Sequence, residues 1–215
     1  MDAKRAAAST TTPRTRRHPR AEIILRLPLA LVFLLALGGC ALAKGPPPAA
    51  QECDAKQSIL IRGAFILAER DTEAAIAFLD ANPNHEHVRT WLGAGHTGKA
   101  RARLVATLER LRPGRHPPWN CNPQLCGGLP IFGIASLTRG TITLCPIFFN
   151  ARNEGFDSRP GVIIHEVSHI AAGTLDIAYG RTAAMALARK QPDRATINAD
   201  NLEYFVETLP TLPRR

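Results

Sequence analysis

The sequence predicts an α+β domain that is mostly helical and carries a small β-hairpin or sheet. Three observations support this class. Apolar residues recur at helical spacing between residues 58 and 111, two short runs rich in β-branched and aromatic residues follow over 131–149, and helical patterns return after residue 158. The chain of 215 residues is long enough for one domain with a substantial core.

The expected helices cover residues 58–79, 87–111, 159–172, 182–190 and 194–209. Asn82-Pro83-Asn84 is typical of a turn and separates the first two helices. Ser158 and Pro160 are typical of a helix start and Gly173 of a helix end, so these residues set the bounds of the third helix.

The segment between the second and third helices is expected to be partly irregular. Residues 113–130 are rich in proline, glycine, asparagine and cysteine, which predicts a loop held by cross-links. The runs 131–137 and 141–149, joined by Arg139-Gly140, predict a β-hairpin.

The first 40 residues have the pattern of an export signal. They carry +5 of the formal charge of +9, and an apolar run follows the arginines. The run ends in Leu37-Gly38-Gly39-Cys40, which resembles a bacterial lipobox, where cleavage leaves Cys40 as the lipidated first residue. We expect a signal peptide over 1–40, a Pro/Ala linker over 41–51 and the folded domain over 52–215.

The expected location is therefore the periplasmic or cell-surface side of a membrane, through a lipid on Cys40. An ordinary signal peptide with free secretion and an uncleaved signal anchor are the alternatives. The charge of +4 left on residues 41–215 forms no basic stripe interleaved with aromatic residues, so nucleic acid is not an expected partner.

Four cysteines follow the apolar run: Cys53, Cys121, Cys126 and Cys145. An even number in an exported chain favours two disulfides, with three pairings open. A zinc site made of cysteines is disfavoured because none of the spacings is CxxC.

Residues 165–169 read His-Glu-Val-Ser-His, a spacing that matches a zinc-peptidase signature. On a helix, His165 and His169 project from one face and can reach one metal ion. Glu166 points to the side, where its carboxylate can take a proton from a water molecule on the metal. The other histidines (His18, His85, His87, His96 and His116) fit no such arrangement, and we expect them at the surface.

A catalytic zinc ion normally takes a third protein ligand. After Gly173 the chain turns back, so Asp176 can offer a carboxylate oxygen to the same ion. Residues 173–180 read Gly-Thr-Leu-Asp-Ile-Ala-Tyr-Gly, and this segment resembles the second signature of the aspzincin metalloendopeptidases, GTxDxxYG. That family includes deuterolysins and peptidyl-Lys metalloendopeptidases. The spacing along the sequence from His169 to Asp176 is two residues shorter than in the fungal enzymes of that family.

Other segments resemble the peptidyl-Lys enzymes as well: Arg89–Gly93, Leu144-Cys145, Asp157-Ser158 and Asn198–Phe205. The resemblance implies a zincin-like fold with one catalytic zinc ion and the hydrolysis of peptide bonds in protein substrates. It implies that Tyr179 stabilises the oxyanion, and that Cys53 pairs with Cys121 and Cys126 with Cys145.

Asp200, Glu203 and Glu207 lie at i, i+3 and i+7 of the last expected helix. By their spacing alone, such a carboxylate face is more often solvated. The resemblance instead implies that Asp200 and Glu203 bind the lysine on the carboxyl side of the cleaved bond.

Two alternative functions remain open from the sequence. An exported effector or toxin could use the same zinc chemistry on one dedicated protein, and a zinc-binding lipoprotein could have lost turnover. The sequence does not indicate an oligomeric state.

Overall fold

The computed structural model describes residues 52–212. The predicted signal peptide over 1–40, with Cys40, and the predicted linker over 41–51 therefore lie outside the described residues. In this range the helices are α1 (Ala55–Ala81), α2 (Glu86–Leu92), α3 (Thr97–Leu111), α4 (Arg159–Ala172), α5 (Arg181–Lys190), α6 (Pro192–Ala195) and α7 (Ala199–Glu207). The strands are β1 (Trp119–Asn120), β2 (Gly133–Ser136) and β3 (Thr141–Leu144), and a 3₁₀-helix spans Pro146–Asn150.

Helix α4 is the central element and packs against α1, α3 and α7. It buries an apolar side that includes Ile163 and Val167, which are fully buried. The Ser158 hydroxyl accepts a hydrogen bond from the backbone N–H of Gly161 at 3.0 Å, so it caps the start of the helix. Gly173 ends the helix with a left-handed φ of 63°. The predicted bounds of this helix are confirmed.

Two of the predicted helices are each divided in the structure. The helix expected over 87–111 is broken between α2 and α3, where Gly93 and Gly95 both have positive φ angles. A Cβ atom on Gly93 would lie 2.4 Å from Cβ of Pro192, so the break lets the chain pass close to α6. The helix expected over 194–209 is likewise divided into α6 and α7, because Asn198 has an extended backbone conformation.

The three strands form one small sheet in the order β1-β3-β2. β2 and β3 are antiparallel, as expected for the hairpin, and β1 adds to β3 in parallel. The two-residue strand β1 was not predicted, since it is too short to show a periodic pattern. β2 lies at one edge of the sheet and packs beside α4.

Two disulfides hold the irregular segment to the rest of the domain. They join Cys53 to Cys121 and Cys126 to Cys145, which confirms both pairings. The first ties the start of α1 to the loop before the hairpin.

The surface position expected for the isolated histidines is wrong for His87 and His116. Nε2 of His87 lies 2.8 Å from the Phe205 carbonyl oxygen, and its ring packs between Phe78 and Phe205. The ring of His116 stacks on Phe65 with a centroid distance of 4.3 Å. Among residues 52–212, no helix is both long enough and apolar enough to cross a membrane.

Candidate metal centre

Helix α4 presents His165 and His169 side by side, with their ring centroids 4.9 Å apart. Nδ1 of His169 lies 2.9 Å from the carbonyl oxygen of Thr174, which can only accept a hydrogen bond. Nδ1 of His169 is therefore the donor, and the lone pair of the neutral ring is on Nε2.

The ring of His165 is oriented in the same way by two carboxylates of α7. Its Nδ1 lies 3.0 Å from Oδ1 of Asp200 and 3.1 Å from Oε2 of Glu203. These oxygens accept the Nδ1 proton, so Nε2 of His165 is also free to bind a metal ion.

The turn after α4 brings Asp176 to both histidines. Oδ1 of Asp176 lies 3.1 Å from Nε2 of His165 and 3.2 Å from Nε2 of His169. The structure therefore brings the three predicted ligands together at one point, and their ligand atoms lie within 4.8 Å of one another.

Asn198 fixes this turn, a role that the sequence did not indicate. Its Oδ1 accepts hydrogen bonds from the backbone N–H groups of Ile177 and Ala178 at 2.8 and 3.0 Å. Leu175 and Asn198 also form a parallel β-bridge. The extended conformation that breaks the last predicted helix is therefore the one that positions Asp176, the predicted third ligand.

Glu166 lies against the edge strand β2 and is only 6% exposed. Burial raises the pKa of its carboxyl group, against the lowering effect of the two histidines and of a hydrogen bond from the backbone of Ala135. A Cβ atom on Gly133 would lie 2.8 Å from Oε1 of Glu166, so glycine is needed there for the carboxylate to fit. The contact joins residues 33 positions apart, which explains why the sequence did not reveal it.

A cleft of about 680 Å³ opens over these residues. Its walls include His165, Glu166 and Asp176 together with apolar residues of 130–137. Tyr179 lies at the rim, with its side chain 68% exposed. Partial burial, then hydrogen bonding and the negative charge of Asp176, raise the pKa of Tyr179 to about 12, so its hydroxyl stays protonated at neutral pH.

The carboxylate face of α7 is buried and not solvated. Asp200, Glu203 and Glu207 are 5%, 3% and 9% exposed. Asp200 and Glu203 line the cleft, which is where their predicted role requires them to be. Their contact with His165 was not predicted, because it depends on how α7 packs across α4.

Glu207 holds the start of α4. Its carboxylate accepts hydrogen bonds from the backbone N–H groups of Asp157 and Ser158 at 2.9 and 3.1 Å and from the Ser158 hydroxyl at 2.8 Å. A Cβ atom on Gly161 would lie 2.0 Å from Oε2 of Glu207 and 3.0 Å from Oε1 of Glu203. Only glycine at this position lets the two helices approach so closely.

A comparison with known protein families shows which family this chain belongs to. Residues 77–207 match the family model for aspzincins, whose description is lysine-specific metallo-endopeptidase. The chain belongs to the aspzincin family. This confirms the family expected from the two signatures around His165 and Asp176.

Individual proteins match this chain over a shorter segment. A protein of Grifola frondosa named peptidyl-Lys metalloendopeptidase is 49% identical over 73 residues, which are 33% of this chain and 21% of that protein. A protein of Aeromonas hydrophila named extracellular protease is 47% identical over 72 residues, again 33% of this chain and 21% of the relative. The alignments therefore span about 21% of the length of these two relatives.

A solved structure supports the fold over a longer range. The zinc peptidase from Grifola frondosa superposes with a TM-score of 0.65 at 28% identity, covering 74% of this chain and 99% of that chain. The predicted α+β, zincin-like fold is confirmed.

Membership of the aspzincin family implies one zinc ion, and the donor atoms suit it. Ligands about 2.0–2.1 Å from a tetrahedral zinc ion lie about 3.3 Å from one another. The separations of 3.1 and 3.2 Å between Asp176 and the two histidines are close to this value. Burial lowers the pKa of His165, but hydrogen bonds to Asp176, Asp200 and Glu203 outweigh this effect and raise it, so the surroundings favour positive charge.

The contact at Gly161 yields a test of the packing between α4 and α7. Gly161→Ala places a methyl group against the carboxylates of Glu203 and Glu207, and we expect a loss of about 1–3 kcal/mol in the free energy of unfolding. Gly63→Ala in α1 is the control, because a Cβ atom there meets nothing within 4 Å. The control should gain about 0.5–1 kcal/mol, because alanine is favoured over glycine inside a helix.

Urea unfolding followed by circular dichroism measures both variants. If Gly161→Ala and Gly63→Ala changed the free energy of unfolding equally and with the same sign, the close approach of α4 and α7 at Gly161 would be contradicted.

Proposed function

We propose that this protein is a zinc-dependent metalloendopeptidase that hydrolyses peptide bonds in protein substrates. The observation that carries the proposal is the convergence of Nε2 of His165, Nε2 of His169 and Oδ1 of Asp176 at one point of an open cleft. A buried general base, Glu166, lies in the wall of the same cleft.

In this proposal His165, His169 and Asp176 hold the zinc ion. When bound, the ion acts as a Lewis acid that polarises the scissile carbonyl and lowers the pKa of the attacking water. The Nδ1 contacts of the two histidines support this assignment, because they leave Nε2 of each ring as the available donor.

Glu166 is the general base. Its carboxylate takes a proton from the water molecule as the water oxygen bonds to the carbonyl carbon. The same group then delivers this proton to the nitrogen of the leaving amine as the C–N bond breaks. Burial raises the pKa of the Glu166 carboxyl group above its ordinary value, which suits a group that must both accept and return a proton.

Tyr179 donates a hydrogen bond to the oxyanion. Its position at the cleft rim near Asp176 supports this role. Because the pKa of Tyr179 is about 12, the hydroxyl keeps its proton throughout the neutral range and remains a donor.

The proposed cleavage site is the bond on the amino side of lysine. Asp200 and Glu203 line the cleft and are almost fully buried, and within residues 52–212 neither forms an ion pair with lysine or arginine. Oε1 of Glu203 has no hydrogen-bond partner. Buried carboxylates of this kind favour a cationic ligand, and the relatives from Grifola frondosa and Armillaria mellea are named for peptidyl-lysine.

The proposed location is outside the cytoplasm, with the signal peptide over 1–40, the linker over 41–51 and a lipid on Cys40. Export is supported by the Aeromonas hydrophila relative, which is named as an extracellular protease. The lipid anchor is supported by the lipobox-like Leu37–Cys40.

Glu166→Gln tests the general base. We expect about one zinc ion per chain in the wild-type protein and in the variant, but a fall of about 100-fold or more in casein hydrolysis by the variant, because only the proton acceptor is lost. Metal analysis and a casein assay with and without a chelator measure this. Glu73→Gln, on the exposed side of α1, is the control and should keep full activity. The base assignment is wrong if the Glu166→Gln variant turns over at the wild-type rate.

Glu203→Gln tests the lysine site. The glutamine keeps an oxygen that can accept the Nδ1 proton of His165 but removes the negative charge. We expect unchanged zinc content and a loss of about 1.5–3 kcal/mol of selectivity for lysine, which is about tenfold or more in relative kcat/KM. Cut sites are mapped by mass spectrometry in an unbiased peptide library. Absence of lysine enrichment in wild-type cleavage would refute the lysine site and leave the zinc peptidase intact.

Cys40→Ser tests the anchor. The variant should lose lipid labelling and leave the membrane fraction, while its hydrolytic activity is retained, because the proposed site lies entirely in the folded domain. Equal membrane retention of the two proteins would instead support an uncleaved signal anchor.

A further inference from the structure

The cleft continues beyond the metal centre toward the start of α4. Asp157, just before the helix, and Tyr204 of α7 line the same cleft as Asp200 and Glu203. Because an α-helix rises about 1.5 Å per residue, the start of α4 lies roughly 10 Å from His165 along the helix axis. Asp157 is therefore at the end of the cleft that lies away from His165.

Asp157 is held in place by two residues of α7. The Tyr204 hydroxyl donates a hydrogen bond to its Oδ1 at 3.0 Å, and its backbone N–H donates to Oε1 of Glu207 at 2.9 Å. Its backbone φ angle is 55°, in the left-handed region that residues other than glycine rarely adopt. The second oxygen, Oδ2, has no hydrogen-bond or ion-pair partner within the described range 52–212.

Within the described residues 52–212, no lysine or arginine forms an ion pair with Asp157, Asp200 or Glu203, and the imidazole of His165 is shared by Asp200 and Glu203. Oε1 of Glu203, a side chain that is 3% exposed, also lacks a hydrogen-bond partner. Arg181 lines the cleft too, but its guanidinium lies 4.3 Å above the ring of Phe156 and forms no ion pair with these carboxylates in the described part of the chain. One imidazole therefore faces two buried carboxylates, and the half-buried Asp157 adds a third, so the surplus of acidic groups favours the binding of a cation.

Glu207 does not share this property, although it lies beside Asp157. Both of its oxygens already accept hydrogen bonds from the start of α4. It faces a second cavity and not the cleft. Among the described residues, Asp157 is thus the carboxylate outside α7 that lines the cleft apart from Glu166 and Asp176 of the candidate metal centre.

We propose that Asp157 is a specificity-determining residue that binds the ammonium group of a lysine side chain together with Asp200 and Glu203. The inference rests on the proposed peptidase function. It adds a third carboxylate to the lysine site, supplied by the loop before α4 and held there by Tyr204.

Asp157→Asn removes the charge with little other change. Asparagine tolerates the left-handed conformation, and its side-chain oxygen can still accept the Tyr204 hydrogen bond. In the full-length protein, we expect kcat/KM for a peptide with lysine after the cut to fall about fivefold or more, with that for the matched norleucine peptide within about twofold of wild type. Glu154→Gln, in the same loop but outside the cleft, is the control and should keep the wild-type ratio.

A binding measurement separates recognition from turnover. In the Glu166→Gln background, isothermal titration with the lysine peptide should show weaker binding when Asp157→Asn is added, whereas the norleucine peptide should bind equally to both. A wild-type preference for lysine that survives in Asp157→Asn would overturn the inference and leave the proposed function intact. A wild-type protein that hydrolyses casein without preferring lysine would overturn the inference and the lysine site together.

Tyr204→Phe provides a second test if Asp157→Asn does not fold. Removing the hydroxyl frees the Asp157 side chain, so the ratio of lysine to norleucine kcat/KM should fall about threefold while zinc content stays the same. An unchanged ratio in this variant would overturn the inference.

Discussion

The contact between α7 and α4 is the constraint on which the site depends. Asp200 and Glu203 orient the ring of His165, and one turn further along α7, Glu207 holds the backbone at the start of α4. The short helix α7 therefore fixes both the position of α4 and the tautomer of His165, one of the proposed zinc ligands. Gly161 makes this possible, because any side chain there would displace the carboxylates.

Burying several carboxylates on one helix opposes folding unless positive charge compensates them. Burial raises the pKa of Glu203 to about 7, against the opposing effect of its hydrogen bond to His165, from an ordinary value of 4.5. Since the folded pKa lies above the unfolded one, ionisation of Glu203 reduces stability as the pH rises from about 4.5 to about 7. The proposed zinc ion at His165 and the proposed cationic side chain in the cleft would both offset this cost and so stabilise the folded domain.

The proposed third ligand, Asp176, depends on a different contact. Asp176 lies in a turn without regular secondary structure, and Asn198 holds that turn by bonding two consecutive backbone N–H groups. Asn198 can do this only because the chain is extended between α6 and α7. The irregular backbone at this point is thus part of the proposed metal centre, and it connects the turn that carries Asp176 to the same helix that orients His165.

The sequence by itself determined the α+β class, the bounds of the metal-binding helix and the two signatures, because helical spacing, Ser158, Pro160 and Gly173 act locally. The two signatures and their flanking segments resemble those of the aspzincins, and this resemblance implied both the family and the pairings of the four cysteines. Only the tertiary structure decided that the carboxylate face of α7 is buried, that Gly133 and Gly161 make room for glutamates, and that Asp157 reaches the cleft. Each of these features joins residues 33 to 50 positions apart, and no local periodicity records such a contact.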